Sequence, residues 1–222
     1  MTELDDERRD SRALEPVIIS NPEALAEAEA RNGLRQYDFG IEMVQHALER
    51  HPFRLRPSMI LGLHREALRG ISAYAGLWRP GGVEIEKSKH SPPEAHLVPF
   101  LVEELCDYVN DNWNKTLIHL GAYCMWRLNW IHPFADGNGR TSRTLSYVVM
   151  SIRAGYILPG SPTIPYYIVE NRTPYFEALD AADASLKDSD APDLALMESL
   201  LSRLLAKQLT SFYETAGGVL AR

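Results

Sequence analysis

The sequence predicts an all-α fold, a helical bundle carrying one short β-hairpin. Three observations lead there. Apolar residues recur at three- and four-residue intervals through most of the chain. Period-two alternation is convincing at one place in the first half, Val83-Glu84-Ile85-Glu86. No strand–helix alternation or internal repeat is visible, which leaves out sandwich, barrel, dinucleotide-binding and solenoid architectures.

The composition is that of a globular protein. Of 222 residues, 45% are hydrophobic, enough for a substantial core. With 23 Lys plus Arg against 30 Asp plus Glu, the formal charge is −7. That balance disfavours a nonspecific nucleic-acid coat or a polybasic membrane binder. The two cysteines, Cys106 and Cys124, fall inside predicted helices and fit neither a disulfide framework nor a zinc site. The start, Met1 to Glu7, is acidic with no apolar stretch behind it, so no secretory signal is read and a reducing cytoplasm is expected. No window approaches the ~20 apolar residues of a membrane span. Neither a specific nucleic acid nor a membrane is expected as a partner.

Residues 1–15 are highly charged and expected to be loose. Ser20-Asn21-Pro22 starts a helix that runs to about Ala30, and Asn32-Gly33 ends or interrupts it. Phe39, Met43, Val44, Ala47 and Leu48 mark a second helical stretch. Pro57-Ser58 opens a third, with Ile60, Leu61, Leu63, His64, Leu68 and Ile71 on its buried stripe. His64 reads as a core or supporting histidine rather than a ligand. After the turn Arg79-Pro80-Gly81-Gly82 comes a short exposed hairpin over 83–90, or a surface loop, stopped by Pro92-Pro93. Helical pattern resumes near Pro99 with Leu101, Val102, Leu105 and Val109. Asn114 is a candidate cap for a helix apolar around much of its circumference, and therefore central. Another long helix runs from Asn138 to Arg153 and stops at Gly155. Thr173-Pro174 caps a short helix through Leu179, residues 180–193 connect, and a last helix shows Leu196, Leu200, Leu204 and Phe212 on one side. Three units follow: a helical extension at 1–56, a core at 57–160, and a helical segment at 161–222 packed on the core.

The chemistry concentrates in His132-Pro133-Phe134-Ala135-Asp136-Gly137-Asn138-Gly139-Arg140-Thr141-Ser142-Arg143. A polar turn with two glycines joins two apolar helices, and the second helix begins inside it. Its first amides lack intrahelical partners and its dipole favours negative charge. Gly137 and Gly139 let phosphate oxygens approach the backbone, and Asn138 offers a side-chain amide. Arg140 and Arg143, three apart, project near one face and suit a polyphosphate clamp. Asp136 beside this positive nest suits a Mg²⁺ ion shared with phosphates. His132 is a candidate proton acceptor near neutral pH. Taken singly, each feature also has an ordinary structural reading. The arrangement is neither a P-loop nor a dinucleotide fingerprint.

Residues 132–143 resemble the signature of the Fic domain, HxFx[D/E]GNGRxxR, at every specified position, and the likeness runs from roughly Met59 through Gly155. The resemblance implies a Fic-like helical bundle with a β-hairpin flap. It also implies a protein adenylyltransferase that moves AMP from ATP to a Ser, Thr or Tyr hydroxyl of a target protein. It makes His132 the base, Asp136 the Mg²⁺ ligand and Phe134 the anchor of the loop. Gly137, Asn138 and Gly139 become the anion hole, and Arg140 and Arg143 the holders of the β- and γ-phosphates. Ile85, Glu86 and Lys87 take the place of the flap that aligns a target backbone by strand addition. Gly139 departs from the variant with lysine there, which resembles kinases. Many members carry an inhibitory helix with [S/T]xxxE[G/N]. Ser11-Arg12-Ala13-Leu14-Glu15-Pro16 misses it at the last position, and the stretch from Ala28 to Gly33 lacks the starting hydroxyl. Constitutive competence, a separate inhibitory protein, or self-association is then expected. Transfer of UMP or another phosphate-linked group, and a non-catalytic helical interaction domain, are the alternatives.

Overall fold

The computed structural model describes residues 9–50, 52–189 and 191–217. The expected absence of a leader at Met1–Glu7 concerns residues outside that set. The described residues form eight α-helices, a 3₁₀ turn and a two-stranded antiparallel ribbon. The helices are α1 (Pro22–Glu49), α2 (Pro57–Leu68), α3 (Val98–Asp111), α4 (Leu117–Ile131), α5 (Asn138–Ala154), α6 (Ile164–Glu170), α7 (Thr173–Ser189) and α8 (Ala195–Thr215). The ribbon pairs β1 (Ser11–Arg12) with β2 (Glu84–Ile85).

α4 and α5 are the central pair. Leu120, Ala122, Cys124, Met125 and Leu128 of α4 are buried, as are Leu145, Val148, Val149 and Met150 of α5. They approach closely at Gly121, where a Cβ would sit 2.6 Å from Met150. α1, α2 and α6 also pack on α5, while α3, α7 and α8 pack on α4. Both cysteines are buried and free, and burial pushes the Cys106 thiol up to about 12. Among the described residues, no helix is long and apolar enough to cross a membrane.

Several elements differ from the sequence expectation. α1 runs unbroken through Asn32-Gly33. An exposed helical glycine costs only ~1 kcal/mol against alanine, and tertiary contacts outweigh it here. Buried Asn32 donates its amide to the Arg69 carbonyl at 2.8 Å, and Gln36 donates to the Leu63 carbonyl at 3.1 Å. Thr116, rather than Asn114, caps α4 by accepting from His119 N. α6 was not expected. α7 continues ten residues beyond Leu179, to Ser189. Ala182 is fully buried, and Asp183 accepts from the Trp126 indole at 2.9 Å, so this polar-looking segment is held to the core. On α8, Leu196 and Phe212 are exposed; Met197, Leu200, Leu201 and Gln208 form the inner face.

The ribbon is the largest revision. Residues 84–85 do not pair with the residues that follow, because Glu86 and Lys87 turn away, Lys87 with φ 57°. Their partner is the segment expected to be loose, in the register Ser11 to Ile85 and Arg12 to Glu84.

Candidate active site

The turn between α4 and α5 is shaped by packing before any ligand is considered. His132 caps α4 in the left-handed region, φ 50°, which a non-glycine residue rarely adopts. Arg79 holds it there. Its Nε donates to the His132 carbonyl at 2.8 Å and its backbone N–H to the Pro133 carbonyl at 2.9 Å. Its Nη1 reaches the Gly81 carbonyl at 2.8 Å, and its Nη2 reaches the Pro93 carbonyl. One buried guanidinium thus ties the turn to both ends of the segment bearing β2. Burial pulls the Arg79 pKa down.

Phe134 is fully buried, stacked 3.7 Å from the His64 ring on one side and 5.3 Å from Trp78 on the other. His64 Nδ1 accepts from the Gly76 N–H, so its Nε2–H donates to the Asp136 carbonyl, both at 3.0 Å. Burial holds His64 neutral, with its pKa lowered to about 4. Asn138 closes the loop: its side-chain oxygen accepts from Phe134 N at 3.0 Å and its Nδ2 donates to the Phe134 carbonyl at 2.9 Å. Gly137 is required twice over. Its φ is +77°, and a Cβ would overlap the buried Leu68 side chain.

The His132 ring is oriented by the last turn of α4. Its Nδ1 lies 3.2 Å from the Asn129 carbonyl, which can only accept, so Nδ1 carries the proton. Nε2 is left with a lone pair and accepts from the Ser11 hydroxyl at 2.8 Å. Burial lowers the His132 pKa to about 4, outweighing the raising effect of the Asn129 bond. At pH 7 the ring is therefore a neutral acceptor.

Across a cleft of about 620 Å³ stands the first turn of α5. Its walls include Ser11, Ile85, His132, Asp136, Arg140 and Arg143, together with residues 137–139. Arg140 spans two carboxylates, Glu29 at 3.1 Å and Asp136 at 2.8 Å. Arg143 lies against Gly139, where an added Cβ would meet its Nη1 at 2.9 Å, and close enough to Tyr175 to feel its hydroxyl. Burial pulls the Arg143 pKa down.

Asp136 was expected to hold a metal. Its Oδ1 accepts from Gly137 N at 2.5 Å and its Oδ2 from Arg140, with the side chain half exposed to the cleft. Among the described residues, no group of three His, Cys, Asp or Glu side chains is placed to hold an ion. One carboxylate completed by phosphate oxygens and water is a donor set that Mg²⁺ uses. The residues therefore fit Mg²⁺ arriving with a polyphosphate rather than an ion resident in a protein cage.

The structure thus brings His132, Asp136, Gly137, Asn138, Gly139, Arg140 and Arg143 to one cleft. Asn138 differs from expectation because its amide is already engaged with Phe134 and points its remaining capacity at Ser11, 3.5 Å away. Of the three flap residues, Ile85 lines the cleft. Glu86 gives its N–H to the Asp10 carbonyl at 2.9 Å and its carboxylate to Arg12. Lys87 sits in the turn that follows. The near-miss segment Ser11–Pro16 is a two-residue strand followed by irregular chain, not a helix, and Glu15 accepts from the Ser72 hydroxyl rather than meeting either arginine.

Sequence reasoning missed Arg79, Asn129, Tyr175 and Ser11. Arg79 sits beside a Pro-Gly-Gly turn, and an arginine there reads as solvated. Asn129, a polar residue three before His132 in an apolar helix, was the one available signal. Ser11 and Tyr175 reach the site only through long-range packing.

Residues 54–150 match the Fic/DOC family. That span contains α2, β2, Arg79, α3, α4, the whole turn with Arg143 and α5 as far as Met150; Ser11, Glu29 and Tyr175 lie outside it. Over 114 residues the chain is 34% identical to Protein adenylyltransferase Fic of Drosophila willistoni, covering 49% of this chain and 22% of that protein. Over 129 residues it is 30% identical to Protein adenylyltransferase fic-1 of Caenorhabditis elegans, covering 56% and 23%. The chain therefore spans less than a quarter of the curated relatives it matches. Among solved structures, Fic-1 of C. elegans superposes with a TM-score of 0.67 at 21% identity, over 90% of this chain and 55% of that one. A Fic family protein from Desulfovibrio desulfuricans gives 0.63 at 22%, over 91% and 57%. These likenesses establish a Fic fold reaching beyond the matched span.

Proposed function

We propose that this protein is a protein adenylyltransferase, transferring AMP from ATP to a hydroxyl side chain of a protein. One observation carries the reading. The unprotonated Nε2 of a neutral His132, with the Ser11 hydroxyl seated on it, lines the same cleft as the first turn of α5, Arg140 and Arg143. A proton acceptor facing a helix N-terminus and two arginines suits attack by a hydroxyl on a phosphate. The similarity to curated protein adenylyltransferases supports AMP as the group moved.

In this account the triphosphate lies over residues 137–139, with Arg140 and Arg143 on its outer phosphates. Arg140 exchanges its carboxylate partners for phosphate oxygens. Asp136, released from Arg140, would hold Mg²⁺, which supplies charge neutralisation on the phosphates when bound. His132 takes the proton of the incoming hydroxyl through Nε2, while Asn129 keeps Nδ1–H fixed. Arg79, His64 and Phe134 hold the turn so that these groups keep their spacing, and positioning supplies much of the acceleration. β2 aligns the acceptor backbone.

The test is incubation with Mg²⁺ and ATP labelled at either the α- or the γ-phosphate. Protein-bound label from the α position alone supports the reading. Label from the γ position would make the protein a kinase instead.

A further inference from the structure

The strand on β2 is not a foreign chain but residues 10–12 of this protein, and its one inward side chain is a hydroxyl on the proposed base. Asp10 and Ser11–Arg12 run antiparallel to β2 with two paired positions, and the Glu86 N–H to Asp10 carbonyl bond extends the ladder. Exposure alternates as strand geometry requires: Arg9 and Ser11 are half-buried, Asp10 and Arg12 exposed, with Asp10 at the rim of the cleft. The segment is clamped on both sides of Ser11. Arg9 grips Asp180 of α7 through two bonds of 2.6 and 2.7 Å and lies 4.5 Å over the Phe176 ring. Arg12 pairs with Glu86. Ser11 Oγ is 2.8 Å from His132 Nε2 and 3.5 Å from Asn138 Nδ2. With the strand seated, the cleft of about 620 Å³ is still open beside Ser11, a size ordinary for a small-molecule site.

We propose that Ser11 is a built-in acceptor, adenylylated intramolecularly at its own hydroxyl; this rests on the transferase reading above. The Ser11 Oγ–H proton passes to His132 Nε2. The oxygen forms a bond to the α-phosphorus of ATP. The bond from that phosphorus to the bridging oxygen breaks, and the electron pair leaves with pyrophosphate. His132 then gives its proton to solvent. The product carries a serine-linked AMP within the cleft. Tethering gives Ser11 a high effective concentration at the base, so an outside target strand must displace residues 10–12 from β2 before it reacts.

The experiment uses the full chain with Mg²⁺ and ATP at two protein concentrations tenfold apart. Peptide mass spectrometry locates the adduct, and titration measures nucleotide binding by the unmodified protein. AMP on Ser11, in the same fraction at the same time in both samples, is the expected result. Ser11→Thr keeps the adduct at that position and Ser11→Ala loses it. AMP on other residues with Ser11 bare overturns the proposal and leaves the transferase reading standing. So does ATP bound with no adduct on Ser11. A labelled fraction that falls tenfold on dilution makes the reaction intermolecular and overturns it as well. A protein that binds no nucleotide removes both the proposal and the reading beneath it.

Discussion

The two halves of the cleft are built in opposite ways. The α4–α5 turn is assembled from twelve consecutive residues and locked by buried groups, namely Phe134 between His64 and Trp78, Asn138 on the Phe134 backbone, and Arg79 on the carbonyls of His132 and Pro133. The ribbon joins two segments more than seventy residues apart through a short ladder and exposed ion pairs. The first half is prepared before ligands arrive. The second is held by contacts of the kind that exchange, which suits a surface where acceptors must come and go.

The difference gives graded expectations. His132→Ala removes the proton acceptor, and transfer falls by roughly 10²–10⁴-fold. Binding of Mg²⁺ and ATP stays close to wild type, because the nest on α5 is intact. Single-turnover labelling and titration calorimetry measure the two separately. If both fall together, base and nest are one structural unit and the comparison loses its chemical meaning.

Gly137→Ala attacks the locked half. It combines a disfavoured φ with overlap on Leu68, and unfolding free energy drops by about 2–4 kcal/mol in denaturant titration. A loss under 1 kcal/mol would show that the turn is as yielding as the ribbon.

pH supplies a third handle. The His132 pKa is about 4 in the fold against 6.5 for an unhindered histidine. A lowered histidine pKa means that the unfolded chain binds the proton first. The stabilisation from keeping this ring neutral is complete above pH 6.5 and disappears as pH falls towards 4. Thermal unfolding of the wild type therefore weakens across that window, by about 1–3 kcal/mol from this group, and His132→Asn makes the dependence shallower, leaving the part that buried His64 contributes over the same range. An unchanged slope in the variant would place the ring in water. The smallest effect belongs to the ribbon. Arg12→Ala removes an exposed pair with Glu86 and costs less than about 1 kcal/mol of stability.

The same contrast explains what the sequence disclosed. The turn was legible because its base, carboxylate, glycines and arginines all lie within twelve residues, bracketed by two strongly apolar helices. The helical class was legible from periodicity. The continuity of α1 was not, since Asn32-Gly33 carries a local stop signal that the bonds from Asn32 and Gln36 to α2 and its end override. The length of α7 was hidden because Asp180 and Asp183 look like loop residues until Arg9 and Trp126 are seen to pair with them. β1 was invisible for the same reason: a short polar stretch becomes a strand only because β2 and α7 offer it partners. Arg79 carries no sequence signal that separates a buried tether from a surface cation.

The most direct measurement is a crystal structure of the full chain with Mg²⁺ and a non-hydrolysable ATP analogue. The account predicts the triphosphate over residues 137–143, with the α-phosphorus about 3–3.5 Å from the Ser11 oxygen that rests on His132. A nucleotide bound away from the start of α5, or one presenting its γ-phosphorus to that oxygen, would contradict it.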